Sequence, residues 1–311
     1  MDMKALRVGA VLAAALLLGG CRAPGGIIAT VDGETVLTGD RLRQEAALVD
    51  KVLPIDATDQ DAVRERYVAL ARQLTYEALI ARDRKLSVDA TAEAVAANDA
   101  VQARFGDAAG LQVQLDAFGV SAGELSGTLS EAAKASAHVK AFLAASPTTT
   151  DDIDRYIAKH PKEAALVSYT EITVPTRKEA NEVKAALEAD ATAAVKGAEK
   201  YNRDLFEATT LGAYRDIAYD DARVPDEDLF AMAVGETEIF YQSDPRRYRV
   251  VHLDGKKDSR PDVEEHVRAV LDRERYLAYV NQLAKDHQLR FFEDEIVLPA
   301  EESGAVSSAS E

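Results

Sequence analysis

The sequence predicts an α+β fold: a mostly helical domain built from both chain ends, with a small module of antiparallel sheet and flanking helices inserted into it. Long segments near each end repeat apolar residues at spacings of three and four, which indicates amphipathic helices. Between them, residues 166–174 alternate and are rich in β-branched and aromatic side chains, which predicts a strand. Each long helix carries an apolar stripe that it cannot bury alone, so we expect the two ends to pack together.

The first elements are a hairpin and a series of helices. Two apolar runs flank Asp32-Gly33, a dipeptide typical of the tight type I′ turn. The longest of the helices that follow carries an apolar stripe that includes Val63, Tyr67 and Leu74. Capping residues and periodicity predict helices over residues 40–52, 59–85, 88–105, 108–118, 122–144 and 150–160.

The elements of the inserted module are shorter. Strands are predicted over residues 166–174, 237–241 and 248–253. Helices are predicted over residues 177–189, 191–202 and 226–234, whereas 209–219 is expected to be irregular. A last long helix over residues 261–287 has near-heptad apolar spacing, and a final strand is expected over 291–298.

These elements divide the chain into six segments. They are a signal peptide (1–20), a tether (21–26), a helical domain (27–164), the inserted module (165–257), a helix and strand that complete the helical domain (258–298), and a disordered tail (299–311).

Residues 1–21 have the composition of an export signal. Lys4 and Arg7 precede an apolar run over Val8–Leu18, which is shorter than the roughly 20 residues that a membrane-spanning helix needs. The run ends at Gly19-Gly20-Cys21 and resembles a bacterial lipobox, in which the cysteine is acylated and becomes the new N-terminus. A buried helix ending in an unpaired thiol is the alternative. We therefore expect a protein tethered to a membrane by lipid on Cys21.

Composition narrows the class of partner. The chain has a formal charge of −17, and loss of residues 1–20 removes one acidic and two basic residues, which makes it −18. Such a surface repels nucleic acid and anionic lipid head groups. The chain contains a single Cys, which excludes disulfides within the chain. It contains no Trp, which excludes stacking of sugars on indole rings. Basic unfolded chains are a compatible partner.

Short catalytic or metal-binding motifs are missing from the sequence. The five histidines form no short metal-ligand spacing, so we expect them on the surface or at helix ends. No P-loop, dinucleotide fingerprint or nucleophile elbow occurs. We therefore expect no cofactor, no metal and no covalent catalysis.

Four segments together resemble the SurA/PrsA type of exported foldase, in which a helical chaperone domain is completed by a helix that follows a parvulin-type prolyl isomerase domain. They are Ala29–Glu34, Leu74–Val88, Leu115–Ser121 and Thr149–Tyr156. The resemblance implies that residues 165–257 are parvulin-like. It also implies that the chain binds unfolded exported polypeptides.

The parvulin pattern is broken where the family carries two facing histidines. Glu171 stands at the first of these positions and Arg249 at the second, and His252 falls on the opposite face of its strand. We expect Glu171 and Arg249 to form an ion pair on the floor of the cleft. A functional Glu/Arg site and a displaced alignment are the alternatives. The remaining cleft candidates are Tyr214, Phe230 and Met232.

The sequence thus predicts a lipid-anchored envelope chaperone whose isomerase activity is weak or lost. An active isomerase with an atypical site is one alternative, and an interaction lipoprotein of an envelope assembly or polysaccharide-export system is another. Arg22 after the lipidated cysteine favours the periplasmic face of an outer membrane. An inner membrane or a Gram-positive membrane surface remains compatible.

Lipidation is expected to depend on Cys21. In Cys21→Ser, the thiol that accepts the lipid is gone, so the precursor stays unprocessed or is released without a diacylglyceryl group. Mass spectrometry of the N-terminal peptide from envelope fractions checks this. An unmodified Cys21 in the mature wild-type protein contradicts the prediction.

Overall fold

The computed structural model describes residues 26–52, 58–86, 88–190, 212–221, 226–243 and 246–298. The protein has an α+β fold, as expected. It divides into two compact units, called here the first unit (residues up to Pro147 and from Asp272 onward) and the second unit (Thr148–Leu271). The predicted signal peptide, Cys21, the tether before Gly26, the helix over 191–202 and the tail lie outside the described residues.

The first unit consists of a small sheet and long helices. Its elements are β1 (Ile27–Val31), β2 (Glu34–Thr38), α1 (Gly39–Val52), α2 (Gln60–Ile80), α3 (Thr91–Arg104), α4 (Ala108–Phe118), α5 (Ala122–Ala145), the second half of α10 (Arg260–Asp286), β7 (Arg290–Phe291) and a 3-10 turn (Glu293–Glu295). The antiparallel strand order is β2-β1-β7. The strand expected over 291–298 is therefore wrong beyond Phe291, because a turn replaces it.

Local signals in the first unit act as the sequence predicts. Asp32 and Gly33 both have positive φ, 53° and 79°, which is the conformation of a type I′ turn. Ser121 forms a reciprocal capping box with Glu124 at the start of α5. Gly119 ends α4 in the left-handed conformation.

The second unit is built on a four-stranded antiparallel sheet. Its elements are α6 (Thr150–Lys159), α7 (Pro161–Ala164), β3 (Leu166–Val174), α8 (Arg177–Ala189), β4 (Ala213–Ile217), a 3-10 turn (Tyr219–Asp221), α9 (Asp226–Ala231), β5 (Thr237–Ser243), β6 (Arg246–Lys257) and the first half of α10. The strand order is β4-β3-β6-β5. The expectation of irregular structure over 209–219 is wrong for β4, which pairs with β3.

The division between the units differs from the predicted boundaries. Residues 148–164 and 258–271 belong to the second unit, whereas the sequence pattern assigns them to the helical domain. The reason is a separate apolar cluster in which Ile153 and Ala164 pack against Val263 and Val267 of α10. Helical periodicity identifies these faces as buried but does not identify their partners.

The second half of α10 completes the core of the first unit. Tyr276, Val280 and Leu283 are buried against Leu79 and Phe142. The C-terminal helix and the N-terminal helices therefore share one apolar core, in which each covers a stripe that the other exposes.

Leu283→Ala is expected to lower the free energy of unfolding of the first unit by about 2–5 kcal/mol, because it removes buried contacts and leaves a cavity. Glu274→Ala on the exposed face of the same helix is the control, with a change of about 0.5 kcal/mol or less. Urea unfolding followed by circular dichroism checks both. Equal effects of the two substitutions would show that α10 is not part of this core.

Candidate functional site

The two charged residues that replace the expected histidines lie side by side in the sheet of the second unit. Glu171 on β3 is opposite Val251, and Arg249 on the neighbouring β6 is opposite Thr173, so the two are diagonal neighbours on one face. Arg249 Nε lies 3.3 Å from Glu171 Oε1. The structure thus brings the two predicted residues together as an ion pair.

This ion pair is buried in the sheet. Glu171 has no exposed surface and Arg249 is 8% exposed. The Glu171 backbone N–H donates to the Gly212 carbonyl at 2.8 Å, and the Thr173 hydroxyl donates to Glu171 Oε1 at 3.4 Å. Removing one member of a buried pair leaves a charge without its compensation, which typically costs about 3–5 kcal/mol. The pair therefore holds β3 and β6 in register.

The other three cleft candidates lie on the same face of the sheet, in its apolar core. Tyr214, Phe230 and Met232 are all buried, in one cluster with Tyr169 and Leu253. The rings of Tyr214 and Tyr169 stack with centroids 4.8 Å apart. The sequence made these three residues candidates for the lining of a cleft. In the structure their side chains fill the apolar core instead.

His252 does not restore the missing pattern. It lies on the opposite face from Arg249, where its Nδ1 is 2.8 Å from the Thr237 hydroxyl. The strand alternation that excludes His252 from the site is therefore confirmed.

The first unit contains a half-open groove of about 850 Å³. Its walls are the C-terminal end of α2, the segment that leads into α3, α3 itself and α5. The apolar lining residues are Ile80, Ala81, Leu86, Val88, Ala90, Ala94 and Val95. Four of the charged lining residues are acidic, namely Glu77, Asp83, Asp89 and Glu131, and Lys134 is basic.

A buried hydrogen-bonded network lies at the base of this groove. His138 on α5 contacts the Tyr276 hydroxyl through Nδ1 at 2.7 Å and Asp83 Oδ2 through Nε2 at 3.0 Å. The Tyr279 hydroxyl donates to the same Asp83 oxygen, and the Tyr76 and Tyr276 hydroxyls are 2.5 Å apart. These five residues are called the tyrosine–histidine network below. They join α2, α5 and α10.

Burial and hydrogen bonding shift the pKa values in this network. Burial lowers the pKa of His138, and the nearby Asp83 carboxylate only partly opposes this. Burial by itself would raise the pKa of Asp83, but hydrogen bonds from Tyr279, the Lys85 backbone and His138 outweigh it and lower that pKa. Burial also raises the pKa of Tyr76 to about 12. The network therefore holds a neutral imidazole beside a carboxylate.

The position of His138 was missed by sequence reasoning. Histidines without metal-ligand spacing were expected on the surface, yet His138 is 1% exposed. The available signal was its place in a stripe of small and aromatic residues with Ala133, Ala137 and Phe142, all of which are buried. A histidine on such a stripe needs buried polar partners.

The described ranges contain no group of three or more His, Cys, Asp or Glu side chains arranged to hold a metal ion. Within the same ranges, no helix has the length and apolar character needed to cross a bilayer.

Comparison with known proteins gives likenesses only among solved structures. No protein-family model matches the chain, and no curated protein matches it significantly. The peptidylprolyl isomerase PrsA of Bacillus anthracis is 17% identical, with 69% of this chain and 94% of that chain covered and a TM-score of 0.37. The foldase protein PrsA of Streptococcus pneumoniae is 14% identical, with 85% and 93% covered and a TM-score of 0.38.

The foldase protein PrsA of Lactococcus lactis is a third such structure, at 13% identity, with 86% of this chain and 95% of that chain covered and a TM-score of 0.39.

The stability of the first unit is expected to fall as the pH drops below about 6.5, the ordinary pKa of histidine. Because the pKa of His138 is lowered in the folded state, the unfolded chain binds the proton first, and acid favours unfolding until the folded pKa is passed. His138→Gln removes this contribution and flattens the dependence of unfolding free energy on pH between 7.5 and 5.

The groups that face His138 are Asp83, Tyr276 and Tyr279, with Phe142 one turn away. His160→Gln, at a half-exposed position in the second unit, is the control and is expected to retain the wild-type slope. Urea unfolding at a series of pH values checks the prediction. A wild-type slope in His138→Gln would contradict it.

Proposed function

We propose that this chain is an extracytoplasmic chaperone or foldase, held at a membrane by lipid on Cys21, and that its first unit binds unfolded polypeptide. The observation that carries the proposal is the half-open groove, whose helical walls carry both apolar and acidic side chains. Sites for small molecules enclose most of the surface of their ligand. A half-open groove suits an extended chain better. The resemblance of four sequence segments to exported foldases supports the same reading.

The proposal includes a second unit with little or no prolyl isomerase activity. Isomerisation breaks no covalent bond, but the site has to favour a twisted amide against a barrier of about 18–20 kcal/mol. A proline ring would have to displace Glu171 and Arg249 from their buried pairing, which leaves each charge uncompensated. The complete burial of Glu171 weighs against the alternative of an active isomerase with an atypical site.

An interaction lipoprotein that holds one folded partner is the second candidate. The supporting observation is a set of exposed large apolar side chains on α3, on α4 and in the turn between them: Val95, Phe105, Val113 and Phe118. Single exposed apolar residues are normal, but four on consecutive elements favour a contact surface. This candidate predicts recovery of one folded partner in stoichiometric amount from the native envelope, whereas a chaperone yields many substoichiometric clients.

The full chain is expected to suppress aggregation of an unfolded client while showing no isomerase turnover above the uncatalysed rate. A protease-coupled assay on an Xaa-Pro tetrapeptide, with an active parvulin as positive control, measures the second property. Light scattering of a client diluted from denaturant measures the first. The physical reason is that the groove is open whereas the sheet site is filled by the ion pair.

The same assays are run on Glu171→His/Arg249→His, with circular dichroism to verify folding. The doubly substituted protein is expected to suppress aggregation as well as wild type does, because the groove lies in the first unit. Wild-type turnover comparable to that of the parvulin would reject the inactive second unit. Loss of aggregation suppression in a folded double variant would reject the assignment of binding to the first unit.

A further inference from the structure

The walls of the groove leave apolar surface exposed to solvent. Val95 on α3 is 56% exposed and Val88 just before it is 38% exposed, and both line the groove. No residue of α3 is fully buried. The helix is held on α5 at the surface, where Lys140 Nζ of α5 lies 3.0 Å from Glu93 Oε1 of α3. The groove therefore offers apolar contact area that the chain itself does not cover.

The charges along the groove are unbalanced. Among the described residues that line it, Lys134 is the one Lys or Arg, and its Nζ is already paired with Glu131 at 2.6 Å. Asp83 is held by the tyrosine–histidine network, and the exposed Asp89 accepts from the Thr91 N–H at 2.9 Å. The remaining acidic side chain is Glu77, half-buried on the wall formed by α2.

Glu77 has one hydrogen bond and no ion pair within the described residues. Gln73 Nε2 donates to its Oε1 at 3.0 Å. Burial raises the pKa of Glu77, and the negative charges of Glu131 and Glu45 add to that effect. The Gln73 hydrogen bond and the positive charge of Arg41 lower this pKa but do not outweigh burial. A further cation placed beside Glu77 would add to this partial compensation, with less screening than at an exposed site.

We propose that the groove binds an extended polypeptide segment in which apolar side chains flank an Arg or Lys. The apolar walls cover the apolar side chains of the segment, and Glu77 pairs with its cation. This inference rests on the proposed polypeptide-binding function and adds the chemistry of the segment. The excess of acidic over basic lining residues is the charge complementarity that favours this occupant. It disfavours a second copy of this chain, whose net charge is −17.

The test measures binding of three fluorescently labelled nonapeptides to the full chain by anisotropy. The peptides share the same apolar residues and differ only in a central Lys, Gln or Glu. Affinity is expected to fall in that order. Glu77→Gln, which keeps the size and the hydrogen bond of the side chain, is expected to weaken binding of the Lys peptide about three- to tenfold. It should change binding of the Gln peptide by less than about twofold.

Two further variants separate charge from apolar contact. Glu65→Gln makes the same change of charge at an exposed position of the same helix and is expected to leave all three affinities unchanged. Val95→Arg places a long charged side chain on the exposed groove wall, where folding tolerates it, and is expected to weaken binding of the Lys and Gln peptides.

Five results would overturn the inference. Equal affinity for the three peptides, or an unchanged Lys preference in Glu77→Gln, rejects the cation site while polypeptide binding stands. Full binding by Val95→Arg places the binding elsewhere on the chain. A dimer of the wild type that Val95→Arg dissociates makes a second copy the occupant. Binding of none of the peptides rejects the proposed function as well.

Discussion

The structure of the first unit depends on covering the N-terminal helices with a helix from the other end of the chain. Along most of α2, the residues Val63, Tyr67 and Leu74 are buried by the small sheet, α1 and the C-terminal residues from Phe291 to Leu298. Its last turns, which carry Tyr76, Leu79 and Ile80, belong to a different cluster. Tyr276, Val280 and Leu283 of α10 cover these last turns. The tyrosine–histidine network fixes how α10 lies on α2 and α5, because hydrogen bonds, unlike apolar contacts, are directional and costly to leave unmade.

That network also shapes the groove. Asp83 and His138 belong to both, so one part of the groove lining is held by buried hydrogen bonds. The wall formed by α3 is held by hydrogen bonds at the surface instead: Asp89 Oδ1 accepts from the Thr91 N–H, and Lys140 of α5 is paired with Glu93. The exposed apolar residues of this wall suit the binding of segments of varied sequence, because apolar contact is not directional.

The second unit uses its buried charges differently. Glu171 and Arg249 stand in the face of the sheet that also buries Tyr169, Val251 and Leu253. There the attraction between opposite charges replaces apolar packing, at the cost of removing both from water. Such a pair contributes little net stability, but it penalises any slip of register between β3 and β6. Its position in the core gives it a role in the sheet rather than on a surface.

The sequence by itself determined the elements whose signals are local. Turn chemistry at Asp32-Gly33, the start of the helix predicted from residue 122 and the helical stripes depend on neighbours within a few residues, so they were correctly predicted. The expectation that Glu171 and Arg249 face each other came from the resemblance to parvulins, which carry two facing histidines at these positions.

Only the tertiary structure decided which buried face meets which. The apolar residues of α6 and α7 pack on the first half of α10 rather than on the helical domain, and β4 forms because β3 provides a partner for a polar segment. His138 and Tyr276 are 138 residues apart, and no local pattern encodes their contact. Periodicity shows that a side chain is buried, whereas its partner is set by packing of the whole chain.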